Sequence, residues 1–383
     1  MCMEKRTDVG AADIAGGADN ATAGKTRALV AMSGGVDSSV AAYLVREAGL
    51  AGVGCTMKLY DNEDAGIPRE HSCCSLDDVE DARAVSFRLG MQHYVFNFRD
   101  EFETCVIGNF IREYESGKTP NPCIDCNRFM KFGLLFDRAE ILGCRYVVTG
   151  HYARIEKTPD GYLLKKALDD TKDQSYVLYD MTQEQLAKTL FPLGGLRKTE
   201  VREIAEREGF LNARKPDSQD ICFVPDGDYA KVIVAHTGRA PVPGDFVDTA
   251  GNRLGTHRGI IYYTIGQRRG LGIAAGEPLY VVKICPETNE VVLGRDTDLY
   301  TREAHVGDVR WILGAPPRSR FRCRAKTRYR QPERDATLTV AEDGTVTLLF
   351  DEPQRAVTPG QAVVLYDGEI VVGGGVIRTT ESV

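Results

Sequence analysis

Ser33-Gly34-Gly35-Val36-Asp37-Ser38-Ser39 decides the fold: it follows a short apolar run, Ala28 to Met32, and leads straight into an amphipathic run, Val40 to Glu47. The order predicts strand, glycine turn, helix. Two adjacent glycines let the backbone turn sharply and approach a ligand. The amides of Val36 to Ser39 then form a helix N-terminus, with unpaired donors and the positive end of the dipole. Such an end suits a phosphate. The stretch is not a Walker A loop, because it has no lysine to reach the outer phosphates, and the hydroxyls of Ser33, Ser38 and Ser39 line the turn instead. Taken alone, a plain glycine turn with Ser38 as helix N-cap explains the same residues.

Working outward, 383 residues exceed one simple core, so two or three domains are expected. A hydrophobic fraction of 43% with 27% charged residues fits a water-soluble globular chain, and no apolar run approaches the ~20 residues that cross a bilayer. Residues 1–26, rich in Ala, Gly, Asp and Thr, read as a disordered tail without signal or transit character. Eleven cysteines with no secretion signal predict a reducing compartment, hence a cytoplasmic protein with no membrane partner. The net charge of −7 does not exclude a nucleic-acid partner, since binding depends on where the positive charges lie.

From Ala28 to about Tyr152 extended and helical patterns alternate: Val53 to Leu59, Asp77 to Leu89, His93 to Phe98, Glu101 to Tyr114, Cys126 to Leu142 and Arg145 to Thr149. Alternation of this kind predicts an α/β domain, a parallel sheet with helices on both faces, over 27–225. Ligands of such sheets bind beyond the carboxyl ends of the strands, where the glycine loop, Met57-Lys58-Leu59-Tyr60 and Thr149-Gly150-His151-Tyr152 all fall. One nucleotide site is expected there, formed by Ala31, Met32, Ser33, Gly34, Gly35, Val36, Asp37, Ser38, Met57 and Gly150. His151 alone reads as structural, and Cys73-Cys74 is assigned no chemistry.

Cys123 and Cys126 sit in Thr119-Pro-Asn-Pro-Cys-Ile-Asp-Cys-Asn127, a Pro-rich loop leading into a helix expected to start near Cys126. A thiol at a helix N-terminus has its thiolate stabilised, so a lowered pKa is predicted for Cys126. Cys222 lies in Asp217-Ser-Gln-Asp-Ile-Cys-Phe-Val224. Tyr152 to Ala167 reads as a hairpin, Gln183 to Leu190 and Thr199 to Glu208 as helices, and β structure is expected after about Asp226. A central β-rich domain over 226–300 and a small C-terminal β-barrel over 301–383 follow. Thr264 to Gly270 is a turn with two arginines, suited to phosphate. Arg318, Arg320, Arg322, Arg324, Lys326, Arg328 and Arg330 occupy every second position, so on one strand they would share a face and call for an anionic partner.

The SGGVDSS string resembles the pyrophosphate loop of the ATP pyrophosphatase superfamily, whose members cleave ATP between the α and β phosphates. Together with TPNPCIDCN followed by MKF, TGHYAR, KDQSYVL, KPDSQDICF, GQRRGLG and TRYRQ, in that order, the chain from about Arg27 onward resembles the tRNA-specific 2-thiouridylases. The resemblance implies tRNA as substrate, with the C2 oxygen of the wobble uridine adenylated by ATP and replaced by sulfur. It further implies Cys126 as the catalytic thiol, Cys222 as the persulfide carrier, and a sulfur carrier or cysteine desulfurase as donor. Mg²⁺ would meet Asp37. Contacts to tRNA or the target base are implied for Asn121, Pro122, Cys123, His151, Lys172, Asp173, Gln174, Arg328, Tyr329 and Gln361.

Many family members carry Asp where this chain has Cys123, and Cys123, Cys126 and Cys222 together suit a [4Fe-4S] cluster as well as a dithiol route. Two other classes remain open from the sequence, another adenylating ligase or amidotransferase of the superfamily, and a tRNA-binding or redox module without ATP turnover.

Overall fold

The computed structural model describes residues 24–60, 76–217, 221–224 and 226–382. The N-terminal tail, Cys73-Cys74 and Ser218-Gln-Asp220 of the Cys222 motif lie outside the described residues. Two compact units form: the described residues up to Ile107 with Cys123–Gly227, and Gly108–Pro122 with Asp228 onward.

In chain order the first unit contains β1 (Arg27–Ala31), α1 (Val36–Glu47), β2 (Ala51–Lys58), α2 (Leu76–Arg88), β3 (His93–Asn97) and α3 (Arg99–Phe102). After α4 (Gly108–Glu115), which belongs to the second unit, come α5 (Pro122–Asp125), a π-helical stretch Cys126–Leu134, α6 (Leu135–Ile141) and β4 (Tyr146–Val148). β5 (Ala153–Thr158), β6 (Gly161–Lys166), α7 (Gln183–Ala187), β7 (Thr189–Leu190) and α8 (Lys198–Arg207) complete it.

The sheet order is β3-β2-β1-β4-β7 and every pairing in it is parallel. Because side chains alternate along a strand, Ala28 and Val30 face a core shared with Val40 and Val45 of α1, Val85 of α2 and Val201 of α8. Leu29, between them, is equally buried on the opposite side, as expected for a sheet covered on both faces. This is the α/β fold the alternation predicted. Thr189-Leu190, expected to end a helix, instead forms the fifth strand, because it pairs with Val147 and Val148.

The second unit begins its β region one element later than expected, with α9 (Tyr229–Thr237), capped by Asp228 accepting from the Lys231 amide. Next come β8 (Gly244–Asp248), β9 (Arg253–His257), β10 (Tyr280–Cys285) and β11 (Glu290–Gly294), in a small sheet ordered β10-β11-β8-β9 around Phe246, Val281 and Val291. β12 (Tyr300–Trp311), β13 (Arg320–Lys326), β14 (Arg334–Val340), β15 (Val346–Arg355), β16 (Ala362–Asp367) and β17 (Ile370–Ser382) pair antiparallel in the order β12-β15-β14-β13-β16-β17. Pairing of β17 back onto β12 closes the barrel, so it presents no free edge. Its interior is filled by Cys323, Ala325, Leu338, Leu348, Phe350, Val363 and Leu365.

Phe350 is fully buried in that interior. Phe350→Ala should cost about 3–5 kcal/mol through lost burial and an unfilled cavity. A urea midpoint indistinguishable from wild type would contradict this packing.

Candidate active site

At the carboxyl end of β1 the chain turns through Gly34, whose φ of 75° favours glycine, and enters α1 with Gly35 as N-cap. A Cβ on Gly34 would lie 2.4 Å from the Asp78 carbonyl oxygen, so the loop also has no room for one. Gly150, after β4, approaches as closely: its Cβ would sit 2.9 Å from the Ser38 amide nitrogen.

The loop's hydroxyls hold its own shape. Ser38 Oγ donates to Gly35 O (3.0 Å) and accepts from the Ser33 amide (3.2 Å), while Ser39 Oγ also donates to Gly35 O. Asn212, from the segment after α8, donates to Gly34 O (2.8 Å) and Ser39 Oγ (2.9 Å). Lys215 bridges Asp78 Oδ1 (2.6 Å) and Asp81 Oδ2 (2.8 Å) of α2. The amides of Val36, Asp37 and Ser38 meet no acceptor within the helix and are the donors left for a ligand.

A charged network that sequence reasoning missed lies against this loop. Lys198 Nζ is 2.7 Å from Asp37 Oδ1 and 2.8 Å from Asp217 Oδ1. Tyr152 donates its hydroxyl to the same Asp37 oxygen (2.7 Å). Asp217 also takes Lys172 (2.7 Å) and Arg202 (2.8 Å), and Asp169 Oδ2 accepts the Lys198 backbone N–H (2.9 Å). Burial would raise the Asp217 carboxyl, but bonds from Lys172 and Lys198 outweigh it and bring it down to about 2. No local signal marked Lys198, since its partners lie 161 positions before it in the loop and 19 after it. Asp37 Oδ2 accepts from no described residue and is the oxygen available to a cation such as Mg²⁺.

Three further residues expected at a nucleotide lie on or beside β1 and β2. Ala31 ends β1, buried Met32 stands between strand and loop, and half-buried Met57 lies near the carboxyl end of β2.

Among the cysteines, the helix begins at Pro122, not near Cys126, because proline suits the first helical position. Cys126 thus stands past the first turn, and burial raises its thiol above the ordinary value, opposed by Lys131 and aided by Asp125. This corrects the expected lowering. Cys123 is exposed and so reachable, yet the protein crowded around its sulfur pushes the thiol up to about 11, with Cys126 adding and Lys131 opposing. The backbone of Cys222 is held by Tyr60, whose hydroxyl donates to Cys222 O (2.7 Å). Next to it buried Phe223 packs edge-on against Phe102. Cys123, Cys126 and Cys222 are not among the described groups whose ligand atoms converge within 4.8 Å, so as placed they make no site for a lone metal ion.

His151 is 6% exposed. Lys131 Nζ, which can only donate, lies 3.4 Å from His151 Nε2, so Nδ1 carries the proton and donates to Thr149 Oγ1 (2.7 Å). Burial first, then Lys131, holds this imidazole neutral, well below its usual range. Lys172, Asp173 and Gln174 also bond internally: Asp173 accepts from Ala167 N and from Ser175, and Gln174 Oε1 accepts from Tyr152 N.

In the second unit Gln361 donates to Thr119 O (2.8 Å), fastening the segment that continues through Asn121 and Pro122 to a barrel turn. Arg328 Nη2 reaches Ile265 O, Ala356 O and Thr358 Oγ1, and Tyr329 is half-buried with Lys326 over its ring. The seven-residue basic strand is therefore corrected: β13 ends at Lys326, Arg328 and Arg330 lie in a turn, and Arg318 precedes the strand. Arg322 and Arg324 are matched by Asp351 and by Glu333 and Asp335.

Sequence comparison now bears on the site. Residues 26–226 match the family described as tRNA methyl transferase HUP domain, 231–295 its PRC-barrel domain, and 301–377 the aminomethyltransferase beta-barrel domain. A tRNA-specific 2-thiouridylase MnmA of Clostridioides difficile is 50% identical over 354 residues, 92% of this chain and 98% of its own. One from Acetivibrio thermocellus is 51% identical over 357 residues, 92% of this chain and 99% of its own. Among solved structures, a 4-thiouridine synthetase–RNA complex with bound ATP aligns with 55% of this chain and 52% of its own, at 19% identity and a TM-score of 0.35, too low to argue from.

The Asp217 carboxyl is held below its unfolded value, so its contribution to stability is complete above about pH 4 and is lost as pH falls toward about 2. Asp217→Asn should remove that dependence, leaving a shallower loss of unfolding free energy in acid. Parallel acid limbs in urea titrations of the two proteins would contradict the network.

Proposed function

The chain belongs to the tRNA-specific 2-thiouridylase family, and we propose that it replaces the C2 oxygen of the wobble uridine of tRNA with sulfur, at the expense of ATP. The observation that carries this reading is half-identity along nearly the full length of such enzymes, in a chain whose glycine loop, Cys126 and Cys222 share one compact unit. The enzyme is thus a sulfurtransferase that binds ATP and tRNA.

The residues suit the chemistry. A uridine C2 oxygen is a poor leaving group. Its attack on the α-phosphorus of ATP forms an O–P bond, releases pyrophosphate and converts the oxygen into part of AMP. The open amides of Val36 to Ser38 would receive the phosphates, and Mg²⁺ would neutralise them from Asp37 Oδ2. Sulfur then arrives as a persulfide on Cys222, supplied by a persulfide-donating carrier or desulfurase. Cys126 Sγ attacks the Cys222 sulfur, the pair becomes a disulfide, and the released hydrosulfide adds at C2 and expels AMP. A thiol reductant resets the disulfide.

Cys123, Asn121, Pro122 and His151 are assigned to the target base, the last as a neutral polar group. For tRNA contact, four exposed cations with no carboxylate partner among the described residues are preferred: Arg318, Arg320, Arg268 and Arg269. Lys172, Asp173, Gln174, Arg328 and Gln361 would act through the segments they hold. The three-part division 27–225, 226–300 and 301–383 and a cytoplasmic location are part of the same proposal. No described helix is long and apolar enough to cross a membrane.

The test is thiolation of tRNA with ATP, Mg²⁺ and a persulfide donor. Cys126→Ser and Cys222→Ser should each abolish 2-thiouridine while sparing pyrophosphate release. Iron analysis of anaerobically purified protein should find none; about four iron per chain would replace the dithiol route by the cluster. Because the Cys126 thiol is raised, the sulfur-transfer step should quicken about tenfold per unit from pH 7 to 8, and Lys131→Met should slow it further. A flat pH profile in single-turnover sulfur transfer would contradict the assignment.

A further inference from the structure

The glycine loop has no lysine, and its Ser38 and Ser39 hydroxyls are taken up within the loop by Gly35 O and the Ser33 amide. The fold nevertheless brings a buried ammonium to it. Lys198 opens α8, with a side chain 11% exposed, and touches Asp37, the second residue of α1, whose own amide is one of the open donors. Lys198 bridges Asp37 and Asp217, Lys172 and Arg202 also reach Asp217, and Asp169 takes the Lys198 backbone amide. Asp217 keeps Lys172 and Arg202 if Lys198 turns away, so the ammonium can change partner without stranding that carboxylate. Lys198 is therefore the cation of this network free to answer a phosphate.

We propose that Lys198 is a catalytic residue of the adenylation step. This rests on the reaction given above. The uridine oxygen forms its bond to the α-phosphorus, the bond from that phosphorus to the bridging oxygen breaks, and its electron pair leaves on pyrophosphate. Lys198 Nζ moves from Asp37 Oδ1 to the departing pyrophosphate and neutralises the charge that builds there, with no proton transferred. Asp37 is thereby released toward a cation, while Tyr152 keeps hold of its Oδ1. Charge stabilisation of this kind acts more strongly in the transition state than in bound ATP, so it should appear in turnover more than in affinity.

Lys198→Met, Lys198→Arg and Lys198→Ala test it through tRNA-dependent pyrophosphate release, with ATP affinity measured separately by equilibrium dialysis. Methionine should lower the rate constant by about 10²–10³-fold with less than about tenfold change in ATP affinity. Arginine should recover at least about tenfold of the loss, since it restores the charge. Ethylammonium should rescue the alanine variant saturably, even if its melting temperature has fallen. The proposal is overturned if methionine stays within about threefold of wild type, or if the loss lies wholly in ATP affinity and no amine restores turnover. A wild-type enzyme that releases no pyrophosphate with tRNA would instead overturn the underlying reaction.

Discussion

The contact of Lys198 with Asp37 and Asp217 organises the first unit. It joins the turn after β1, the first residue of α8 and the segment running toward Cys222, which are far apart in sequence. Without both carboxylates the Lys198 ammonium would stand buried and unpaired, at a cost of several kcal/mol. The network is accordingly surrounded by fixing bonds: Tyr152 on Asp37, the Lys198 amide on Asp169, Arg202 and Lys172 on Asp217. The loop has equally little freedom on its other side, where Gly34 packs on the Asp78 backbone and Asn212 bonds its carbonyl. A phosphate cradle made of backbone amides has to be rigid to be selective, and here the rigidity comes from side chains outside the motif.

The cradle itself was legible in the sequence because strand, glycine turn and helix are local. Periodicity over a dozen residues is enough to place β1, α1 and the alternation that follows. The closed barrel was legible for the same reason, since alternation along β13 puts Cys323 and Ala325 inside. What stayed hidden is long-range. Lys198 resembles any lysine at the start of a surface helix until the fold sets it between two aspartates. The basic run looked like an unpaired face because Asp351, Glu333 and Asp335 belong to other segments of the barrel. The helix at Pro122 was missed because the prolines were read as loop, although the first helical position has no intrahelical use for an amide hydrogen.

The cysteines illustrate a different limit. A helix dipole predicts a reactive Cys126, but one turn farther in, burial outweighs the dipole and Lys131 only moderates the result. A thiol that is protonated near neutral pH is protected from adventitious oxidation until substrate changes its surroundings. On the proposed route, in which Cys222 carries a persulfide that Cys126 attacks, that property keeps the pair from being spent prematurely.

The central claim is that ATP activates the base oxygen itself, so the fate of that oxygen is the most direct measurement. With tRNA carrying ¹⁸O at C2 of the wobble uridine, one turnover should place the label in the phosphate of AMP, one atom per 2-thiouridine formed. Unlabelled AMP alongside thiolated tRNA would mean that sulfur enters without adenylation of the base, and would contradict the account.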